Sequence, residues 1–195
     1  MELPVAGEPR ERADAARNRD RIMCAAARLF ADQHPDEVSM DAVATAAGVG
    51  KGTLFRRFGD RAGLMRALLD ESEVAFQENV IRGEPPLGPG APPVERLAAF
   101  GRGRLELLER HGPMIAAAEA GERLARFDSP VYQFYRAHIT TLVREADPEL
   151  DAEYVVEALL APLAADVYVY QRRARALDFE RLCAGYTQLA ERLLR

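Results

Sequence analysis

Apolar positions recur with helical spacing along almost the whole chain. After Arg17 they follow the i, i+3, i+4, i+7, i+8 pattern of one helical face, at Ile22, Ala25, Ala26, Leu29 and Phe30. No stretch of strand-like alternation competes with this period, and no internal repeat is visible. The pattern therefore predicts an all-α fold.

Three further helices are expected before residue 83. Ser39 has the chemistry of an N-cap for a short second helix, and Gly48 that of a left-handed C-cap. A short third helix is predicted over residues 50–58. Asp60 is then the expected N-cap of a long fourth helix that fades near residue 81, with Leu64, Leu68 and Val74 among its inward positions.

Residues 83–93 (GEPPLGPGAPP) are too rich in Gly and Pro for a regular element and predict a loop. Helices are expected over residues 94–111 and 113–120. Ser129 followed by Pro130 is a strong start signal for the next one. Residues 154–170 are apolar nearly all round, and residues 178–195 carry a broad apolar stripe. Because one chain rarely covers both surfaces, these last two helices predict a homodimer.

The charge is unevenly distributed. The formal net charge is −5, yet residues 10–66 hold 11 basic and 8 acidic side chains, a balance of +3 against −8 in the remainder. Such patches, more than the total, steer polyanions. Lys51 is the only lysine, and it falls in the basic part.

Several classes of protein are not expected. No apolar run approaches the roughly 18 residues of a membrane span, and the first 20 residues lack the apolar core of a signal peptide. Cys24 and Cys183 lie in helical apolar patterns and are expected to be reduced, buried thiols. These features predict a cytoplasmic protein without a membrane partner.

The segment Ser39–Phe58 (SMDAVATAAGVGKGTLFRRF) has the layout of a helix-turn-helix motif, whose second helix enters the major groove of double-stranded DNA. If Leu54 and Phe58 face the core, Gly52, Thr53 and Arg56 lie opposite at about 100° per residue. Arg56 then has the reach for a guanine, and Gly52 permits close approach. The alternative is an ordinary helical hairpin with solvated arginines.

Residues 17–69 resemble the DNA-binding domain of TetR-type transcriptional regulators. The resemblance rests on Leu29-Phe30, Val43-Ala44, Ala47-Gly48-Val49, Lys51-Gly52-Thr53-Leu54-Phe55, Phe58 and Asp60-Arg61. It implies a homodimeric helical repressor, released from its operator by a small-molecule effector. The implied organisation is a flexible arm (1–16), a helix-turn-helix domain (17–69) and a ligand-binding and dimerisation domain (70–195), with the fourth helix as the coupling element.

The resemblance also supplies candidate DNA contacts. Lys51, Thr53 and Arg61 match family positions that touch the phosphate backbone. Phe55 stands where most members have tyrosine and lacks the hydroxyl that binds a phosphate, and Gly50 replaces the usual serine cap. The complete candidate set is Ser39, Gly50, Lys51, Gly52, Thr53, Phe55, Arg56, Arg57 and Arg61.

The resemblance also implies an effector pocket within the C-terminal helices, and polar groups on otherwise apolar faces are its candidates. Polar candidates are Arg104, Glu119, His138, Asp166 and Tyr170, and wall candidates are Phe100, Met114, Phe134 and Tyr135. Each has a plainer interpretation. His138 is equally compatible with a satisfied core histidine, Asp166 with an ion pair to an interfacial arginine, and the aromatic residues with ordinary core.

Other chemistry finds little support in the sequence. The run Gly48–Thr53 suggests a P-loop but lacks its first glycine and the Ser or Thr after Gly-Lys. The three histidines are dispersed, so no metal site or cofactor is predicted, and no catalytic constellation is recognisable. The competing hypotheses are a helical small-molecule-binding protein or enzyme that uses the C-terminal pocket, and a helical protein that only dimerises.

Overall fold

The computed structural model describes residues 9–33, 37–119 and 124–194. Every regular element in these ranges is helical, which confirms the predicted all-α class. The chain divides into two compact units, Met1–Asp70 and Glu71–Arg195.

The first unit is built from three helices and the start of a fourth. These are α1 (Pro9–Asp32), α2 (Met40–Ala47), α3 (Lys51–Phe58) and α4 (Arg61–Arg82), of which α4 continues beyond Asp70. Its buried side chains include most of those that the helical period selects, namely Ile22, Ala25, Ala26 and Phe30 of α1, Val43 and Ala44 of α2, Leu54 of α3, and Leu64 and Leu68 of α4. The predicted inward residue Leu29 is only half-buried, whereas Met23 is buried. Their burial supplies the main driving force for packing this unit.

Two expectations for α1 need correction. The helix begins at Pro9, so residues 9–16 do not belong to a flexible arm, while residues 1–8 lie outside the described part of the chain. Pro9 suits a first helical turn because its missing N–H would have no intrahelical partner there. Cys24 is exposed, because it lies on the face of α1 turned away from Ile22 and Ala26, whereas Cys183 is buried as predicted.

The helix ends in this unit follow local capping chemistry. Ser39 Oγ accepts the Ala42 amide at 3.1 Å, and Asp60 Oδ1 accepts the Gly63 amide at 2.7 Å. Gly48 ends α2 with φ of +63°, a left-handed conformation in which a side chain would be strained. The predicted caps of α2 and α4 are thus confirmed.

The second unit consists of the remainder of α4 and six further helices connected by shorter turns. They are α5 (Pro93–Glu119), α6 (Ala125–Asp128), α7 (Pro130–Ala146), α8 (Ala152–Leu160), α9 (Ala165–Val169) and α10 (Phe179–Leu193). Ser129 caps α7 by accepting the Tyr132 amide at 3.2 Å, with Pro130 at the first helical position as predicted. None of the described helices is long and apolar enough to cross a membrane.

Two prolines act differently from expectation. Pro113 lies inside α5, which continues unbroken where two helices were predicted; burial of Leu108 and Met114 on either side outweighs the hydrogen bond that proline removes. Pro162 instead ends the predicted helix over residues 154–170. That segment is α8, a 3₁₀ turn (Ala161–Leu163), α9 and the start of a π-helical turn (Tyr170–Ala174).

The core of the second unit centres on aromatic side chains. The Phe100 ring lies 5.5 Å from Phe76 and 5.2 Å from Tyr135, measured between centroids. The α4 contribution to this core is Phe76 and Val80, while the predicted inward residue Val74 is 60% exposed. The expectation for Val74 is therefore wrong, because packing in this unit selects the neighbouring face of α4.

Candidate nucleic-acid interface and ligand cavity

The turn between α2 and α3 fixes the orientation of α3. Gly48 donates its N–H to the carbonyls of Ala44 and Thr45, and the amide of Val49 reaches Ala44 O at 3.0 Å. Gly50 caps α3 through its backbone carbonyl, which accepts the amides of Thr53 and Leu54. These backbone bonds satisfy the carbonyl groups at the end of α2 and the amide groups at the start of α3. Because Gly48 and Gly50 have no side chains, nothing from these two residues projects beside α3.

A single fully buried side chain, Leu54, anchors α3. The opposite face is open, because Lys51, Gly52, Phe55 and Arg56 are all exposed and Thr53 is partly so. Phe55 is 46% exposed, an unusual position for a large apolar side chain. An α-helix that presents a basic and partly apolar face has the groups to meet phosphates and thymine methyls.

The basic side chains on and near α3 differ in their bonding. Lys51 Nζ forms an exposed ion pair with the Asp41 carboxylate on α2. Arg57 donates from Nη1 to the carbonyl of Ala15 at 2.7 Å and so ties α3 to α1. Arg56 makes no ion pair or hydrogen bond with the described residues and extends into solvent. Of these three side chains, Arg57 is the one whose hydrogen bond joins two helices of the first unit through the backbone of α1.

The remaining predicted contacts flank this face. The Ser39 hydroxyl is exposed but already caps α2. Gly50 precedes Lys51, and a Cβ added at Gly50 or Gly52 would meet nothing within 4 Å. Arg61 opens α4 and is half-buried. The structure thus brings Lys51, Gly52, Phe55 and Arg56 onto one exposed face and leaves Ser39 and Arg61 at the preceding and following helix starts.

A second site lies wholly inside the Glu71–Arg195 unit. It is a cavity of about 260 Å³ whose apolar wall comes from α7, α8 and the 3₁₀ turn, with Val131, Leu160 and Leu163 among the residues. Of the nine predicted pocket residues, three line it: Arg104, Glu119 and Tyr135. The first turn of α7 also contributes to the lining through Ser129.

Arg104 is the most deeply buried charge in this wall, with 8% of the residue exposed. Its guanidinium lies 3.9 Å from Glu73 and over the Tyr135 ring at 5.2 Å. Glu73 itself accepts a 2.6 Å hydrogen bond from the Tyr135 hydroxyl and a 2.8 Å bond from the Gln77 amide. Burial raises the pKa of Tyr135, so the phenol stays protonated and donates this bond.

Glu119 and Arg126 form the outer charged part of the lining. The sequence pattern did not predict a contact between them. Burial raises the pKa of Glu119, which lies 4.0 Å from Arg126. Arg126 also pairs with Asp166 at 3.3 Å. Asp166 is largely exposed and does not line the cavity. The arginine that it pairs with is Arg126 of the same chain.

The other predicted pocket residues lie elsewhere. Phe100 and Met114 are fully buried core, and Phe134 stacks on His138 at 6.4 Å. Burial lowers the pKa of His138 to about 4, and its Nε2 has no hydrogen-bond partner in the described structure. Tyr170 is 54% exposed and does not line this cavity, because the break at Pro162 removes it from the predicted helical face.

Sequence reasoning missed Arg126, Tyr132 and Glu157 in the lining. Tyr132 donates its hydroxyl to Glu157, which also accepts from Arg136 Nε at 2.9 Å. These three residues come from α6, α7 and α8, and no local pattern in the sequence indicated that they line one cavity.

Comparison with known proteins identifies the first unit. Residues 22–68 match the family model for bacterial regulatory proteins of the tetR family. An HTH-type transcriptional regulator of Staphylococcus aureus (strain MRSA252) is 22% identical over 169 residues, which cover 87% of this chain and 90% of that protein.

Solved structures extend the similarity of fold to most of the chain. A putative TetR-family transcriptional regulator from Rhodococcus sp. superposes with a TM-score of 0.70 at 20% identity, covering 91% of this chain and 99% of that one. AibR, in complex with isovaleryl coenzyme A and operator DNA, gives 0.60 at 22% identity, covering 89% and 97%. Residues 22–68 therefore match the DNA-binding domain model of the tetR family, and the fold of most of the chain is similar to that of solved TetR-family transcriptional regulators.

Proposed function

We propose that this regulator is a homodimeric repressor that binds operator DNA through α3 and is released by a small molecule in the 260 Å³ cavity. The observation that carries the proposal is the exposed face of α3, whose one buried side chain is Leu54 and which follows the Gly48 turn. The face offers a free guanidinium, an ammonium and an open glycine to a groove. AibR was solved with both operator DNA and a small ligand, which fits the same division of labour.

Within α3 we assign different tasks to the two exposed cations. Arg56 reads a base, because its bidentate donors match guanine O6 and N7. Lys51, like Thr53 and Arg61, positions the protein on phosphates, and its bond to Asp41 must open to do so. Phe55 contributes apolar contact only. Arg57 acts through α1, because its guanidinium is already bound to the Ala15 carbonyl.

A gel-shift comparison on selected operator and random DNA tests these roles. Arg56→Ala should cost roughly 1–3 kcal/mol on the operator and much less on random DNA. Lys51→Ala should weaken both alike. Arg110→Ala is the matched control, since it removes one exposed arginine from the second unit. Equal losses on both DNAs for Arg56→Ala would place it with the phosphate contacts, and no loss for either variant would refute the interface.

The dimer is proposed to form through α8 and α10. Tyr154 on α8 is 76% exposed, and Ala158 one turn later is also exposed. A groove of about 430 Å³ borders α10, with Leu163, Leu182 and Leu189 in its walls. A large exposed aromatic beside a small residue on α8, together with an apolar groove along α10, suits burial by a second copy.

Light scattering tests the dimer, and Tyr154→Glu is the informative variant because its side chain has few intramolecular contacts to lose. The wild type should be dimeric at micromolar concentration and the variant shifted toward monomer. Two recognition helices roughly 34 Å apart then read an inverted repeat, and operator affinity falls steeply with salt. A monomeric wild type, or salt-independent binding, would refute the proposal.

Release by ligand requires tighter binding of the effector to the DNA-incompetent state. We propose α4 as the coupling element, because it is continuous from the DNA-binding unit into the core of the second unit, where Phe76 and Val80 are buried. No enzymatic role is proposed. A helical enzyme that uses the cavity alone would turn over a substrate without affecting DNA binding, and that outcome distinguishes the two functions.

A further inference from the structure

The cavity in the second unit carries an unusual cation for a mainly apolar wall. Arg104 is more than nine-tenths buried, and its closest carboxylate oxygen, on Glu73, is 3.9 Å away. This distance exceeds the 2.7–3.2 Å of a hydrogen bond. Glu73 is meanwhile held by shorter bonds from Tyr135 and Gln77. A guanidinium has five N–H donors, so Arg104 retains capacity for a further acceptor.

The carboxylates of the lining are unequally committed. Glu157 is bonded by the Tyr132 hydroxyl and by Arg136. Burial raises the pKa of Glu119, against the opposing charges of Arg104 and of Arg126, whose Nη1 lies 4.0 Å from the Glu119 carboxylate. The start of α7, where amide dipoles present their positive end, lies in the same wall. The positive groups that line the cavity are therefore Arg104, Arg126 and this helix end, and of these Arg104 is the most deeply buried.

We propose that the cavity binds a small organic acid, whose carboxylate pairs with Arg104 and whose apolar body packs against Val131, Leu160 and Leu163. This inference rests on the proposed function and specifies the chemical class of its effector. A planar carboxylate accepts two parallel N–H bonds from a guanidinium, and the pair is stronger where water is excluded.

The size of the cavity agrees with such a guest. Its 260 Å³ equals the share of about nine water molecules at about 30 Å³ each. That is room for a short aliphatic or single-ring acid. A coenzyme A thioester would place only its acyl group inside and would present to the Arg104 guanidinium a neutral carbonyl, which is a weaker acceptor than a carboxylate.

Isothermal titration of the full-length protein with hexanoate and with hexanamide, a neutral isostere, tests the proposal directly. The wild type should bind hexanoate at least about tenfold more tightly, since charge-assisted hydrogen bonds supply that discrimination. Equal binding of the two compounds, failure of hexanoate to bind, or a preference for hexylamine or hexanoyl coenzyme A would overturn the proposal. This comparison needs no variant and therefore does not depend on how a substitution folds.

Variants then locate the charge that is read. Arg104→Gln should abolish the preference for the acid, whereas Arg102→Gln, on the same helix but outside the cavity, should preserve it. If Arg104→Gln does not fold because Glu73 is left unpaired, Arg104→Lys retains the charge but not the two-pronged geometry, and should reduce the preference. Persistence of the full preference in either Arg104 variant refutes the assignment.

The failure of this inference and the failure of the proposed function are distinguishable. Tight hexanoate binding without any change in operator affinity leaves the carboxylate site in place and refutes ligand-controlled release. Release of the operator by a neutral compound that binds the cavity refutes the carboxylate site and leaves ligand-controlled release in place. A gel-shift assay with and without saturating ligand separates the two.

Discussion

Gly52 offers a sharp test of the DNA interface, because stability and DNA affinity should respond to its substitution in opposite directions. It is the second residue of α3, is exposed, and a Cβ placed there would meet nothing within 4 Å. Nothing in the folded protein therefore opposes Gly52→Ala. The open position has a use only if another molecule approaches it closely.

The magnitude for the free protein follows from helix propensity. Glycine within a helix costs about 0.5–1 kcal/mol relative to alanine. For a chain of this length, that gain should raise Tm by about 1–4 °C. On DNA, the added methyl displaces α3 from the groove and weakens the contacts of Lys51 and Arg56 on either side. We expect operator affinity to fall at least about tenfold, equivalent to about 1.4 kcal/mol.

Thermal unfolding and operator binding by fluorescence anisotropy measure the two effects on the same preparation. Ala137→Gly is the matched control, because it deletes one methyl from an exposed position of α7 in the other unit. It should lose about 1 kcal/mol of stability without losing operator affinity. Unchanged operator affinity in Gly52→Ala, together with the expected rise in Tm, would refute close approach of DNA at Gly52. A fall in Tm would show that the position is not open.

Three other perturbations test contacts within each unit. Asp41→Asn should raise the affinity for operator and random DNA alike by severalfold in gel shifts, because it frees Lys51 and removes a negative charge beside α3. An effect on the operator alone would contradict this. Gly101→Ala should lower the free energy of unfolding by about 1–3 kcal/mol in chemical denaturation, because its Cβ would lie 2.0 Å from the buried Tyr186 ring; a neutral outcome would mean that α5 and α10 separate at no cost. Burial lowers the pKa of His138 to about 4, below the ordinary value of about 6.5, so the unfolded state takes up the proton first. The stability from neutral His138 is complete above about pH 6.5 and is lost as pH falls toward 4. Burial lowers the pKa of His111 to about 4 as well, so His138→Phe should reduce the slope of the unfolding profile in this range without removing it. An unchanged slope would refute the contribution of His138.

Local capping chemistry was predictable from the sequence because each cap depends on a few consecutive residues. Ser39, Asp60 and Ser129 each accept an amide three residues later, and Gly48 takes the left-handed conformation expected of it. These caps and the buried Leu54 determine the turn and the orientation of α3. The residues on the exposed face of α3 could therefore be predicted largely from the local sequence.

Features that depend on distant packing were less accessible. Pro113 and Pro162 are the same residue type in apolar surroundings, yet α5 passes through the first and α8 ends just before the second. The difference depends on whether packing on both sides of the proline keeps the chain helical. The period of apolar residues gives no information about that packing. The displaced inward face of α4, with Phe76 in place of Val74, has the same origin.

The sequence shows which polar residues lie on apolar helix faces, but it does not show which of them line a cavity and which are packed in the core. Arg104 and His138 look alike in sequence, each a polar interruption of a helical stripe. In the structure Arg104 lines a cavity, whereas His138 stacks against Phe134 beside Phe100. The distinction arises where α5, α7 and the segment after α8 leave space between them, and the Pro162 break shapes that segment. A buried charge beside empty volume is costly for folding alone, so Arg104 is the residue at which selection for a ligand, rather than for stability, is most clearly expected.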